Sequence, residues 1–386
     1  MRRGSSRNRF LDYWVGTPLL NLLAALRRRR GAPAVPRRIG VMCSPALGDT
    51  LLFSAVLQDL RAAFPEAHIV HLCFIQNLAA AEVVPGADER VLLRLTAPYT
   101  SLRILRALAL DVLLDFTSWQ RLTAFFTLLS GARYTVGFRT PGQYRDRGFD
   151  RTVEHRADIH EVDNYRALLR GSGLRAGNGW EIATVHTPAV AVPEVHDALF
   201  ADEEDLIALH LWASGQRAWL REWPQQRWVE LAQRLANPRS ARQTLFLSTG
   251  APDDRERIAP FVAHLRAAGL RAEPFISPDG FRTLTRVLQR TRLVVSVNTG
   301  VMHLAAIAGA RVLSINGPNR NGRWGPVGPR AVGVEAPGEG CGYLHLGFNF
   351  DGHPTDCMER ISVDQVVAAA QQLLANAATP ATSEVR

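Results

Sequence analysis

Asn298, Thr299 and Gly300 interrupt a run of apolar residues in a way that suits anion chemistry. The segment 291–318, TRLVVSVNTGVMHLAAIAGARVLSINGP, reads as a buried strand (Leu293–Val297), a break at Asn-Thr-Gly and an apolar helix (Met302–Ala308). A second strand (Arg311–Ile315) follows and ends at Gly317-Pro318. A strand that stops at Thr-Gly and opens a helix leaves backbone N–H groups unpaired at the positive end of the helix dipole, where a phosphate or diphosphate is stabilised. Gly300 permits close backbone approach, Thr299 adds a hydroxyl, and His303 lies one turn further in. The competing reading is an ordinary β-turn-α unit of a parallel sheet.

A carboxylate in a second glycine-containing turn could act as a base. Strand Arg38–Cys43 is followed by a loop, Ser44–Asp49, and then by helical spacing over Thr50–Phe64. Asp49 at the carboxyl end of a strand can take a proton from an acceptor hydroxyl; alternatively it caps the helix. Around these two turns, strands are expected at Ile69–Phe74, Arg90–Leu95 and Val112–Phe116, with helices at Asn77–Val84 and Ser101–Leu108. Residues 137–160 are polar, Arg-rich and poor in periodicity, and a helix resumes at Asp163–Leu169. A linker is expected over 187–205. A second series then reads as strand Leu206–Leu211, helix Gln225–Leu235, strand Gln243–Leu247, helix Asp253–Ala268, the 291–318 unit and helix Ser362–Leu374. Alternating apolar strands and helices predict parallel sheets covered on both faces, with ligands at the carboxyl ends of the strands.

The 386 residues carry a net charge of +9, placed very unevenly. Residues 1–38 hold ten Arg and one acid, Asp12, and therefore the whole excess; the remaining 348 residues are neutral. All 45 basic residues are Arg. A neutral body argues against nucleic-acid binding. The arm carries Tyr13 and Trp14, an apolar stretch to Leu26 and then Arg27–Arg30, too short to span a bilayer and unlike a signal peptide in charge order. It suits an anionic membrane surface, or else a helix packed on the body with its Arg run solvated. With no signal peptide, the four cysteines are expected to be reduced thiols in the cytoplasm. Cys341, His345, His353 and Cys357 are spaced C-x3-H-x7-H-x3-C, which could hold zinc but matches no standard module; buried or idle thiols are the favoured reading.

The ordered motifs resemble glycosyltransferase family 9, the heptosyltransferase-like enzymes. SPALGDTLLFSAVLQDLRAAFPEAHI (44–69) resembles the family's glycine-aspartate loop and first helix, and NTGVMHLAAIAGARVLSINGP (298–318) its second signature. DVLLDFTSWQRLTAFFTLLSGARYTVGF (111–138), HEVDNYRALLRGSGL (160–174), REWPQQRWVELAQRL (221–235) and CMERISVDQVVAAAQQLL (357–374) match in the same order, so the likeness covers about residues 38–375. It implies an α/β fold of GT-B architecture: two Rossmann-like, doubly wound domains facing across a cleft. The expected division is an arm (1–36), an acceptor-side domain (37–190), a nucleotide-sugar domain (191–375) and a disordered tail (376–386).

The implied activity is a metal-independent, inverting transfer from a nucleotide-diphosphate sugar, ADP-heptose in most relatives, to a lipopolysaccharide-core or related lipid-linked glycan. No cofactor is implied. The protein would be cytoplasmic and peripheral to the inner membrane. Asp49 matches the family's proposed base. Arg221 occupies the Lys position of its K-x-W-P motif and would join Thr299, Gly300 and His303 at the diphosphate. Asp253, Asp254 or Glu256 would hold the ribose, or else serve the helix dipole; Arg121, Arg139, Arg145 and Arg147 would suit a phosphorylated or carboxylated acceptor, or else lie in a solvated loop. Asn298 stands where the signature has Asp. That departure keeps the turn, loses a charge near the donor sugar, and favours an alternative: a non-catalytic GT-B-like protein that binds a nucleotide or glycan. A nucleotide-sugar epimerase shares the fold but lacks the Gly48-Asp49 loop.

Overall fold

The computed structural model describes the backbone of residues 6–191, 205–236 and 243–375, and side chains from Phe10 onward. The chain forms two compact units, Met1–Ala191 and Val192–Arg386. The middle of the expected linker and the expected tail lie outside the described residues.

The first unit holds helices α1 (Ser6–Trp14) and α2 (Gly16–Ala25), then β1 (Arg38–Met42), α3 (Leu47–Ala63), β2 (His68–Phe74), α4 (Leu78–Ala81) and β3 (Glu89–Leu93). It continues through α5 (Pro98–Ala107), β4 (Val112–Asp115), α6 (Arg121–Leu129), β5 (Tyr134–Arg139), β6 (Arg151–Glu154) and α7 (Glu161–Gly171). Its sheet has the order β3-β2-β1-β4-β5-β6. All five pairings are parallel.

The second unit runs β7 (Asp205–His210), α8 (Gln225–Leu235), β8 (Thr244–Thr249), α9 (Arg255–Ala267), β9 (Arg271–Phe275), α10 (Phe281–Arg290) and β10 (Leu293–Val297). It then forms α11 (Gly300–Ile307), β11 (Val312–Asn316), α12 (Asn321–Trp324), β12 (Ala331–Glu335) and α13 (Val363–Ala375). Its all-parallel order, β12-β11-β10-β7-β8-β9, repeats that of the first unit. Strands β4, β8, β10 and β11 are buried at every residue, as the helices on both faces demand. In each unit the order reverses between the first and fourth strands, β1/β4 and β7/β10, and ligands of such sheets sit beyond the carboxyl ends at that switch point.

Two local expectations are corrected, and one of the two readings of the arm is seen. Residues 137–160 contain the end of β5 and all of β6, whose edge position leaves its four residues partly exposed and without an apolar run. Helix α3 begins at Leu47, so Gly48 and Asp49 lie in its first turn rather than in a loop. The arm's two helices are docked on the first unit. Leu20 is fully buried with Ala124 and Phe149, worth roughly 1.5–3 kcal/mol for a side chain of this size. Arg27 turns inward: it donates to Asp150 Oδ2 at 2.6 Å, to Thr135 Oγ1 at 3.2 Å and to the Gly148 carbonyl at 3.2 Å. Arg28, Arg29 and Arg30 remain exposed.

Candidate active site

At the switch point of the second unit, the segments after β7 and β10 carry Arg221 on one side and Thr299, Gly300 and His303 on the other. Thr299 is the N-cap of α11, its Oγ1 accepting the Met302 N–H at 3.4 Å. The N–H groups of Gly300 and Val301, in the helix's first turn, have no intrahelical acceptor by position. His303 is buried in the same helix. Gly317, after β11, allows close packing, since a Cβ there would stand 2.9 Å from the Met358 backbone nitrogen.

Asn298 is fixed by a relay of amides. Its Nδ2 donates to the Trp324 carbonyl at 2.8 Å and to Asn316 Oδ1 at 3.1 Å. Asn316 Nδ2 donates to Asn321 Oδ1, and Asn321 Nδ2 donates to the Gly333 carbonyl at 2.7 Å. Backbone carbonyls pin both ends, so no amide can turn over without leaving two acceptors facing each other. A carboxylate at 298 would confront two acceptors, which gives the departure from the family signature a structural cause.

Arg221 ends a short 3-10 turn, Ala218–Arg221, and donates through Nη2 to the Ser214 carbonyl. Leu220 in that turn packs on Cys341, Tyr343, Leu344, Phe350 and Cys357. Cys341 and Cys357 form a disulfide with Cα atoms 5.8 Å apart. This corrects the reduced-thiol expectation for that pair, since the loop between them folds the two Cβ atoms together. Cys43 and Cys73 are free and buried. The C-x3-H-x7-H-x3-C set does not assemble: its thiols are joined, and His353 stacks on Tyr343 with centroids 4.2 Å apart. Among the described residues, no group of three or more His, Cys, Asp or Glu could hold a metal.

Of the ribose candidates, Asp253 and Glu256 are exposed, whereas Asp254 Oδ2 accepts the Ala251 N–H at 2.9 Å and shapes the turn after β8. Glu222, adjacent to Arg221, escaped the sequence reading. Its carboxylate accepts both Nη atoms of Arg257, at 3.1 and 2.5 Å, and the Ala213 N–H at 3.1 Å. Glu222 also lines a cavity of about 270 Å³ together with Trp212, Trp219 and Trp223. The clustering of Trp residues near the W-P pair was the available signal.

At the switch point of the first unit, Asp49 lies half-buried in the opening turn of α3. Ala46, not Asp49, holds the N-cap position. Asn77 pins this turn from outside, donating to the Ser44 carbonyl at 3.2 Å and to Thr50 Oγ1 at 2.8 Å. Burial first, and then the charge of Asp49, push the Cys43 thiol well above its usual range; burial does the same to Tyr165, reinforced by Cys43 and then Asp49. Both neighbours therefore stay neutral beside the carboxylate.

Two of the four acceptor candidates are buried and paired rather than open to solvent. Arg145 is fully buried and donates to Asp115 Oδ2 at 2.7 Å, and Arg121 is 2% exposed and pairs with Asp12 of the arm at 3.0 Å. An apolar setting demands such pairing of a guanidinium. Arg139 and Arg147 are exposed, Arg139 lying 3.9 Å from Glu154.

A family model described as glycosyltransferase family 9 (heptosyltransferase) matches residues 101–343. The chain belongs to glycosyltransferase family 9. Lipopolysaccharide heptosyltransferase 1 of Pseudomonas aeruginosa is 31% identical over 140 residues, 36% of this chain and 33% of that protein. The match thus spans about a third of that curated relative. The crystal structure of a family 9 glycosyltransferase from Veillonella parvula has a TM-score of 0.71 at 20% identity, over 90% of this chain and all of the other. An E. coli heptosyltransferase, WaaC, solved with ADP, has a TM-score of 0.64 at 18% identity, over 87% of this chain and 99% of the other. The fold of this family 9 chain is accordingly α/β with two Rossmann-like units, the GT-B architecture.

Proposed function

We propose that this chain is an inverting, metal-independent glycosyltransferase that moves a sugar, heptose from ADP-heptose, to a lipopolysaccharide-core or related lipid-linked glycan. The observation that carries the reading is the coincidence of chemistry with topology. A carboxylate, Asp49, stands at the switch point of the first sheet. A capped helix N-terminus stands at that of the second, and an arginine, Arg221, lies on the segment that follows β7. In the reaction, Asp49 removes the proton from the acceptor hydroxyl. The freed oxygen attacks the anomeric carbon on the face opposite the diphosphate, and the bond from that carbon to the diphosphate oxygen breaks. The N–H groups of Gly300 and Val301, the Thr299 hydroxyl, Arg221 and His303 balance the charge on the leaving nucleotide diphosphate. Asp253 and Glu256 are the ribose candidates left exposed, and Arg139 and Arg147 the acceptor candidates.

The arm supports placement on an anionic membrane. Phe10, Trp14, Leu22 and Leu26 are 60–80% exposed, and Arg28–Arg30 follow directly. Tyr13 meets Tyr144 at 6.2 Å between ring centroids, joining the arm to the segment between Arg139, at the end of β5, and Arg147.

Calorimetry with ADP, UDP and GDP in the absence of divalent metal tests the donor half. Selective ADP binding is expected, and no binding of any nucleotide would overturn the reading. Asp49→Asn is expected to keep ADP affinity while losing about 10²–10⁴-fold in turnover, the usual contribution of a general base. A chain that binds ADP but never turns over ADP-heptose would be the non-catalytic binder.

A further inference from the structure

The carboxylate of Asp12 sits where an anionic ligand would. Gln120, the N-cap of α6, provides no side-chain cap. The N–H groups of Arg121 and Leu122 are donated instead to Asp12, the first at 3.1 and 3.2 Å to its two oxygens and the second at 3.1 Å to Oδ1. Arg121 Nη1 completes the set at 3.0 Å from Oδ2. Two oxygens do not exhaust the donors. Arg121 Nε and Nη2 are buried with no hydrogen-bond partner, as are Nε and Nη1 of Arg145, which reaches Asp115 through Nη2 alone. Tyr13, next in sequence to Asp12, covers the Arg121 guanidinium at 4.6 Å.

The place itself is one where ligands bind. Helix α6 opens directly after β4, beside β1, at the reversal of strand order that also carries Asp49. A helix N-terminus with an adjoining buried guanidinium is suited to phosphate, whose extra oxygens and charge could engage donors that a carboxylate leaves unserved. We propose that the α6 N-terminus and Arg121 form a binding site for a phosphate monoester on the glycan acceptor, and that Asp12 is a built-in competitor filling it while α1 is docked. This rests on the transferase reading for the identity of the ligand's carrier. It also returns Arg121 to the acceptor in a conditional way. Departure of α1 removes Asp12 and Tyr13 together. Phe10 and Trp14 of α1 are 60% and 63% exposed, so a bilayer would bury apolar surface that the body leaves open. The site then opens at the surface that presents the acceptor.

Inorganic phosphate titrated into the full chain at constant ionic strength tests the site, with Asp12→Asn and the double variant Asp12→Asn/Arg121→Met for comparison. Removing the competing charge should tighten phosphate binding by about tenfold or more, as expected for hydrogen bonds to a charged group. The gain should vanish in the double variant. The Arg121 and Leu122 amides should exchange hydrogen faster in Asp12→Asn, and slow again when phosphate is added. Equal phosphate affinity in wild type and Asp12→Asn, or a gain that survives loss of Arg121, overturns the proposal. If Asp12→Asn does not fold, the wild type decides: high phosphate should speed exchange in residues 10–14 as Asp12 is displaced, and unchanged exchange refutes it. No nucleotide sugar or turnover enters these measurements, so failure here leaves the transferase reading standing, and the reverse also holds.

Discussion

At the residue scale, Asn298 separates what a signature records from what a fold requires. Its amide donates to two acceptors, and the relay through Asn316 and Asn321 ends on a carbonyl that cannot adapt. Asn298→Asp, which restores the family residue, is therefore expected to destabilise the second unit by about 1–3 kcal/mol, the cost of leaving buried polar groups unpaired. Thermal or urea unfolding checks this, and unchanged stability would remove the relay's importance. His71 in β2 and His210 in β7 test burial differently. Burial lowers both to about 4, reinforced for His71 by Arg90, and both ring nitrogens of His71 lack a partner. A folded-state value below the unfolded one means the unfolded chain takes up the proton first. Their contribution is thus complete above about pH 6.5 and is lost as pH falls through about 4, on the order of 3 kcal/mol for each. His71→Leu should flatten that acid decline without lowering stability at pH 7. An identical acid profile for this variant would contradict the assignment.

At the element scale, the central strands other than β5 were legible because burial on both faces writes continuous apolar runs, as in LVVSV of β10 and VLLD of β4. Of the edge strands only β3 was, expected at Arg90–Leu95; the other three were not. RTVE of β6, RAEPF of β9 and AVGVE of β12 are largely half-exposed or exposed, and β9 carries a proline that only an edge tolerates. The two switch-point turns were readable from glycine and aspartate or threonine beside an apolar helix. The fates of Arg121 and Arg145 were not, because their partners Asp12 and Asp115 lie 109 and 30 residues away. Spacing likewise could not tell a metal set from a disulfide. That disulfide closes a loop of 16 residues over Leu220, one residue from Arg221. Reduction, or Cys341→Ser/Cys357→Ser, should lower the stability of the second unit by about 3 kcal/mol for a loop of this length and weaken ADP binding. ADP affinity unaffected by reductant would show that the loop does not position Arg221.

At the scale of the whole molecule, the net charge belongs to an arm whose described helices are docked on the first unit. No helix among the described residues is long and apolar enough to cross a membrane. The inner face of the arm is anchored by Leu20 and Arg27, while its outer face carries large apolar side chains beside three exposed arginines. Sedimentation with anionic vesicles should retain the full chain at low salt. The triple variant Phe10→Ser/Trp14→Ser/Leu22→Ser should lose most of that binding while its thermal transition is kept, because these three side chains are exposed. Retention of the triple variant would assign membrane contact, if any, to another surface. Truncation at residue 36 is a poorer experiment, since it leaves the buried Asp150 carboxylate without Arg27.

The bond between Arg27 and Asp150 also has a consequence in time. The two residues are 123 positions apart, so at about 5–20 residues per second Arg27 is made roughly 6–25 s before its partner. During that interval an apolar, arginine-flanked helix has no body to fold against, and the surface it suits best is a bilayer. If the arm binds membranes as proposed, it is free to do so as a nascent chain, before the first unit has folded around Arg27.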